Sequence, residues 1–180
     1  MNYKIRGKYN EILSENIGEN TIISGWTFIG KNVKIGKNCR FGNFVNIDMN
    51  TQIGDNVNIQ SFSYLTNDSI LEDNISFGPH VKFIDEKYAS PFSDKKIRIP
   101  IVIKKDALIG GGVTIVCSTV GQGSVVGANS LVLEDIPPNQ IWAGSPAKPI
   151  TIENSDGTKR PMTRKDFDDK RHIMQTNVNP

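Results

Sequence analysis

Large apolar residues return at every sixth position from Ile17: Ile17, Ile23, Ile29, Ile35, Phe41, Ile47, Ile53, Ile59, Leu65, Leu71, Phe77 and Phe83 follow one another without insertion or deletion. With about a third of residues apolar, chance gives such a run on the order of once in several hundred thousand trials. A small or β-branched residue stands four places after each, as at Thr21, Thr27, Val33, Cys39, Val45, Thr51 and Val57. Gly follows the apolar residue at Gly18, Gly30, Gly36, Gly42, Gly54 and Gly78, and Lys31-Asn32, Lys37-Asn38, Asp55-Asn56 and Asp73-Asn74 recur between the units.

A period of six matches neither the α-helical turn nor a heptad. It does match a short strand followed by a corner, with one large side chain per unit turned inward. Gly and Asn supply the tight or left-handed backbone that such corners need. Stacked coils then pair as parallel strands ~4.8 Å apart, and each coil depends on its neighbours for a core. The pattern therefore predicts an all-β chain folded as a parallel β-helix.

The series stops after Phe83, resumes at Ile97, Ile103, Ile109 and Ile115, and shifts phase to Val120, Val126 and Val132. This predicts a loop over residues 84–96 extruded from the solenoid, and a one-residue contraction within 116–119. Breaks in a rigid repeat scaffold are where function concentrates. The expected organisation is a β-helix domain over 1–150 and a C-terminal extension over 151–180. In the extension, 163–174 reads as a short helix with Thr163 as N-cap and Asp166 three residues on.

Charge and composition narrow the classes. Lys and Arg number 21 against 19 Asp and Glu, a net charge of +2. That balance is too small and too dispersed for a nucleic-acid partner. The first ten residues are polar and charged and no long apolar run follows, so the expectation is a cytoplasmic protein without a membrane span. Cys39 and Cys117 form no CxxC pair and read as small buried thiols.

The stretches IKKDALIGGGVTI (103–115) and VGQGSVVGANSLVLEDIPPNQIWAGSPAKPI (120–150) carry more than architecture. Together with the repeat over 17–150, they resemble the hexapeptide-repeat acyltransferases. The resemblance implies a left-handed β-helix, a homotrimer, and acetyl-CoA lying in the groove between adjacent subunits, with no metal required. It places Gly111 and Ala128 where main chain lines the pantetheine groove and Lys148 where a basic residue approaches the CoA phosphates. Leu133-Glu134 stands where the family often has Thr-Lys, which puts an acid at one expected CoA contact.

Within that family, IGKNC (35–39), IGDNVNIQ (53–60), LED (71–73) and GPHVKF (78–83) are similar to enzymes that N-acetylate an amino sugar on a nucleotide carrier. Tyr88 stands where many family members have a catalytic His, and Ile84-Asp85 where the subfamily has Thr-Asn. A sugar amine titrates at roughly 8, by analogy with α-amino groups, so positioning supplies much of the rate. Asp85 is the first candidate to hold the amine and accept its proton, Glu86 the second, and His80 the alternative base. A backbone N–H near Gly110–Gly112 is the expected oxyanion donor.

Plainer readings stand beside these: Asp85 and Glu86 as solvated loop charges, His80 as an inert corner residue, and Gly110–Gly112 as corner glycines. The function classes in play are nucleotide-sugar N-acetyltransferase, O- or N-acetyltransferase on another small acceptor, and non-catalytic β-helix binding protein. The metal-dependent carbonic anhydrases of this fold need three histidines, and the chain has only His80 and His172.

Overall fold

The computed structural model describes residues 3–86 and 97–176, with side chains as far as residue 170. It is a left-handed parallel β-solenoid of about seven turns. From Ile23 to Phe83 every apolar residue of the six-residue series is at most 6% exposed, and so are Ile103, Ile109, Ile115, Val120, Val126 and Val132. The small companions close the same core. Where they are polar, a backbone carbonyl satisfies them: Thr21 Oγ1 donates to Gly36 O at 3.0 Å and Ser69 Oγ to Thr66 O at 2.7 Å.

The strands form three faces of nine, seven and five strands. The first face runs from Lys4–Arg6 through Ile22–Ser24, Arg40–Phe41, Asn58–Ile59, Ser76–Phe77, Leu108–Ile109 and Val125–Val126 to Ile141–Gly144, with Ala147–Pro149 added antiparallel. The second climbs from Glu11–Ile12 to Leu131–Val132 and the third from Lys34–Ile35 to Thr119–Val120.

The corners are built from residues in the left-handed region. At the corner leading into the first face, Asn20, Asn38, Asn56 and Asn74 have φ of 58–60° or within a degree of it. Each Nδ2 donates one coil upward, to Asn38, Asn56, Asn74 and Asp106 at 3.3, 3.2, 3.1 and 3.1 Å. Asn tolerates this backbone and the ladder satisfies its amide. The corner between the first and second faces carries aromatic residues instead, and the corner between the second and third emits the loop.

Ladder partners are 18 residues apart in the lower coils and 32 apart across the loop. Above it the coils shorten by one and then two residues, with Val102 pairing Thr119 and Val125 pairing Ile141. The expected contraction is thus present. The expected return at Ile97 is not. Ile97 is 78% exposed, and the solenoid resumes with Ile101, which is fully buried. Leu71 pairs with Ile103, so Ile103 begins the unit that directly follows Phe83, and Ile97 falls on the six-residue period by coincidence. The described part of the excursion is pinned by Ile99 N donating to Asp85 O at 2.9 Å. Tyr88 lies outside the described residues.

The outward column of the first face changes character with height. Lys4, Ile22, Arg40, Asn58 and Ser76 give way to Leu108, Val125 and Ile141. Over the apolar half lies the C-terminal extension. Val125, Ile141 and Met162 form a second small core, with Leu108, Ile152 and Phe167 packed on it. An antiparallel hairpin (Thr151–Glu153 with Lys159–Pro161) leads into helix α1 (Arg164–Thr176).

The N-terminus of α1 is capped as expected. Thr163 N and Oγ1 donate to Asp166 Oδ2 at 2.8 and 2.6 Å, and Asp166 N donates back to Thr163 Oγ1 at 3.4 Å. The guanidinium of Arg160 grips both oxygens of Asp166 at 2.7 and 2.9 Å and is the main reason its carboxyl lies far below the usual range.

Cys39 is buried, which raises its thiol pKa. Cys117 differs from expectation: it is half-exposed, at φ 48° in the contracted coil at the loop corner. No helix among the described residues is long and apolar enough to cross a membrane.

Candidate active site

Where the first face turns into the aromatic corner, each coil presents one shoulder residue. In the lower coils the next coil up claims the shoulder N–H. Gly25 N donates to Asn43 Oδ1 at 3.0 Å and Asn43 N to Ser61 Oγ at 3.0 Å. The following shoulder residues are Pro79, Gly111 and Ala128, whose side chains carry no acceptor. Among the described residues, the N–H groups of Ser61, Gly111 and Ala128 therefore engage nothing. The coils meet here as bare backbone: a Cβ added at Gly78 would lie 2.4 Å from Gly111 N, and one at Gly110 would lie 2.5 Å from Ala128 N. Open donors along a strip without side chains suit an extended amide-bearing chain, or an oxygen that gains negative charge.

His80 sits at the same corner. Rings stack up it from Tyr9 through Trp26, Phe44 and Phe62 to His80, with centroids 4.4, 5.8, 4.9 and 4.9 Å apart. The next position up is Gly112, at φ +74°, where a Cβ would meet Asn129 Oδ1. The ladder therefore ends with the imidazole, one coil below Gly111. Gly112 N donates to Pro79 O at 2.8 Å and Asn129 N to Gly111 O at 2.8 Å, which fixes the three coils relative to one another. The structure thus brings His80, Gly111 and Ala128 together.

Asp85 and Glu86 stand elsewhere. The strand Lys82–Ile84 carries the chain across the second face to the loop corner before they appear. There, Arg98 Nε lies 3.2 Å from Glu86 Oε1 and 3.9 Å from Asp85 Oδ2. The carboxylate side chains are 15% and 20% exposed against 47% for the arginine, so the acids are tucked under their cation. Beside them, Tyr64 OH donates to Asp48 Oδ2 at 2.6 Å. That bond above all, then partial burial and the charges of Asp48 and Asp85, pushes the Tyr64 phenol up to about 12.

Lys148 pairs in backbone register with Ala143, which lies above Gly127, but its ammonium turns to Glu134 at 2.5 Å. Among the described residues no group of three or more His, Cys, Asp or Glu side chains is placed to hold a metal ion. Arg98 and the Tyr64–Asp48 pair were not read from the sequence. A cation just past a loop that opens with two adjacent acids was the available signal for Arg98.

The family model of bacterial transferase hexapeptide repeats (six repeats) matches residues 16–48. A candidate acetyltransferase of Schizosaccharomyces pombe is 40% identical over 88 residues, 46% of this chain and 42% of that protein. A serine acetyltransferase of Bacillus subtilis is 38% identical over 68 residues, 37% of this chain and 31% of that protein. The chain thus spans less than half the length of these curated relatives. Among solved structures, AntD, an N-acyltransferase of Bacillus cereus crystallised with dTDP and coenzyme A, superposes with a TM-score of 0.68 at 20% identity, over 89% of this chain and 90% of that one. Repeat, fold and relatives agree in kind: the chain carries hexapeptide repeats, folds as a left-handed β-helix, and over part of its length is similar to acetyltransferases built on the same repeat.

Proposed function

We propose that this protein is an acetyl-CoA-dependent N-acetyltransferase whose acceptor is a nucleotide-linked amino sugar destined for a surface glycan, and that it works as a cytoplasmic homotrimer. The observation that carries the reading is the side-chain-free strip from Gly111 to Ala128, whose open backbone donors lie one and two coils above the coil of Pro79 and His80. The pantetheine chain would lie along that strip, the Gly111 N–H would receive the thioester oxygen as it gains charge, and Lys148 would meet the CoA phosphates. An amine acceptor needs little beyond positioning and a nearby group to take its proton. Within one chain that group is His80. Asp85 and Glu86 reach an acceptor at the groove only across a subunit boundary, which is why the trimer belongs to the proposal. AntD, with the same fold, is an N-acyltransferase solved with a thymidine nucleotide and CoA.

A second reading is acetylation of a hydroxyl on a small acceptor. It is favoured by the imidazole at the strip, because a hydroxyl needs a base more than an amine does, and by the serine acetyltransferase among the relatives. A thiol-release assay with acetyl-CoA against UDP- and dTDP-linked 3- and 4-amino sugars, with serine as the hydroxyl acceptor, separates them. CoA release with one amino sugar and an acetamido product by mass spectrometry is the expected result. Release with serine alone overturns the amino-sugar assignment, and failure to bind acetyl-CoA overturns both.

A further inference from the structure

Below the strip, the first face holds a cleft of about 300 Å³ whose lining includes Arg6, Arg40, Asn58, Gln60, Ser61 and Pro79. Neither arginine makes an ion pair or side-chain hydrogen bond among the described residues. The other arginines described here are treated differently: Arg98, Arg160 and Arg164 each have a carboxylate. The strands of this face, from Lys4 to Gly144, contain no Asp or Glu at all. Two arginines thus line one concavity, and among the described residues no carboxylate pairs with either. Beside them lie the open Ser61 N–H and the amide groups of Asn58 and Gln60. This is a donor set for a phosphoryl anion, since planar forks match phosphate oxygens in pairs and backbone N–H groups complete the shell.

We propose that this cleft binds the diphosphate of the acceptor's nucleotide carrier, a deduction that rests on the function proposed above. Its position gives the argument. Asn43, Ser61, Pro79, Gly111 and Ala128 climb one shoulder of the solenoid coil by coil, and Arg40 stands on the first face in the same coil as Asn43. The cleft occupies the lower end of this line and the acyl-donor strip the upper, with His80 between them. Two coil steps of ~4.8 Å separate the Arg40 coil from the His80 coil, a rise of ~10 Å. A sugar ring with its glycosidic oxygen bridges such a gap, so a diphosphate held at Arg6 and Arg40 directs a ring amine towards His80 and the strip above it. The CoA diphosphate has the same chemistry, but in this arrangement it lies at the other end, near Lys148.

Calorimetry with UDP, dTDP, inorganic pyrophosphate and, separately, acetyl-CoA tests the assignment without requiring turnover. Arg6→Ala and Arg40→Ala are each expected to weaken nucleoside diphosphate and pyrophosphate binding about tenfold or more, with Arg40→Lys intermediate and acetyl-CoA binding unchanged. Lys34→Ala, which removes an equal charge from the third face, controls for net charge, and circular dichroism melting confirms that each variant is folded. Nucleoside diphosphate binding that survives both arginine substitutions overturns the cleft, while the acetyltransferase reading still stands or falls on thiol release. Loss of acetyl-CoA binding in place of nucleotide binding overturns it equally and gives the cleft to the acyl donor.

Discussion

The imidazole of His80 lies on the ring of Phe62 with centroids 4.9 Å apart and planes 6° from parallel, and no ring continues the stack above it. Trp26, Phe44 and Phe62 hold φ of 58–64° or within that span, a region that costs a bulky L-residue roughly 1–2 kcal/mol. Each stacked pair returns ~0.5–1.5 kcal/mol, so the ladder offsets the strain of its own corner and orients the histidine at its end. Phe62→Ala breaks two stacks at once. Chemical denaturation should show a loss of ~1–2 kcal/mol, and turnover should fall with little change in acceptor KM. An unaltered unfolding midpoint would mean that the rings are neighbours without mutual support.

Much of this fold is legible because a solenoid repeats one local rule. The inward positions from Ile23 to Phe83 and the contraction before Val120 follow from spacing alone. Spacing failed at Ile97, which stands six residues before Ile103 by coincidence, and only the pairing of Leu71 with Ile103 reveals the true register. It also left unread the docking of the C-terminal extension. The signal was the change from Arg40, Asn58 and Ser76 to Leu108, Val125 and Ile141 in one outward column, which is visible only once the strands are stacked. At the site, Gly111 and Ala128 came from motif resemblance, and their open N–H groups came from the coil above. Arg6 and Arg40 are 34 positions apart in sequence and meet only through the register of the first face.

Asp85 and Glu86 share one cation, Arg98, and a catalytic carboxylate would have to work against that pairing. Asp85→Asn is expected to lower kcat more than it raises acceptor KM if Asp85 takes the proton. An unchanged kcat in Asp85→Asn removes that role and leaves His80 as the base.

Tyr64 offers a titration that reads the same region without substrate. Its phenol is pushed up to about 12, first by the hydrogen bond to Asp48, against ~10 in an unfolded chain. A raised pKa means the fold favours the protonated phenol. This contribution is complete below pH ~10 and is lost as the pH rises towards 12. Ultraviolet difference spectra should show one of the four tyrosines ionising late, and Asp48→Ala should return it to the ordinary range. If every tyrosine in the unmodified protein ionises together near pH ~10, the Tyr64–Asp48 bond does not persist in solution.

Lys148 and Glu134 form an exposed pair, with side chains 65% and 53% accessible. Such pairs contribute little to stability in water, so the consequence of this one lies in what it withholds from a ligand. If Lys148 is the residue that meets the CoA phosphates, Glu134 competes with them for one ammonium. Glu134→Gln should then lower the KM for acetyl-CoA severalfold, with the effect shrinking as salt screens the phosphates. Lys148→Ala should raise that KM, and the double variant should match Lys148→Ala, because without the lysine there is nothing for Glu134 to withhold. Steady-state kinetics at low and moderate ionic strength read all three. A KM indifferent to both single substitutions would take Lys148 out of the groove and leave the backbone strip from Gly111 to Ala128 as the donor's anchor.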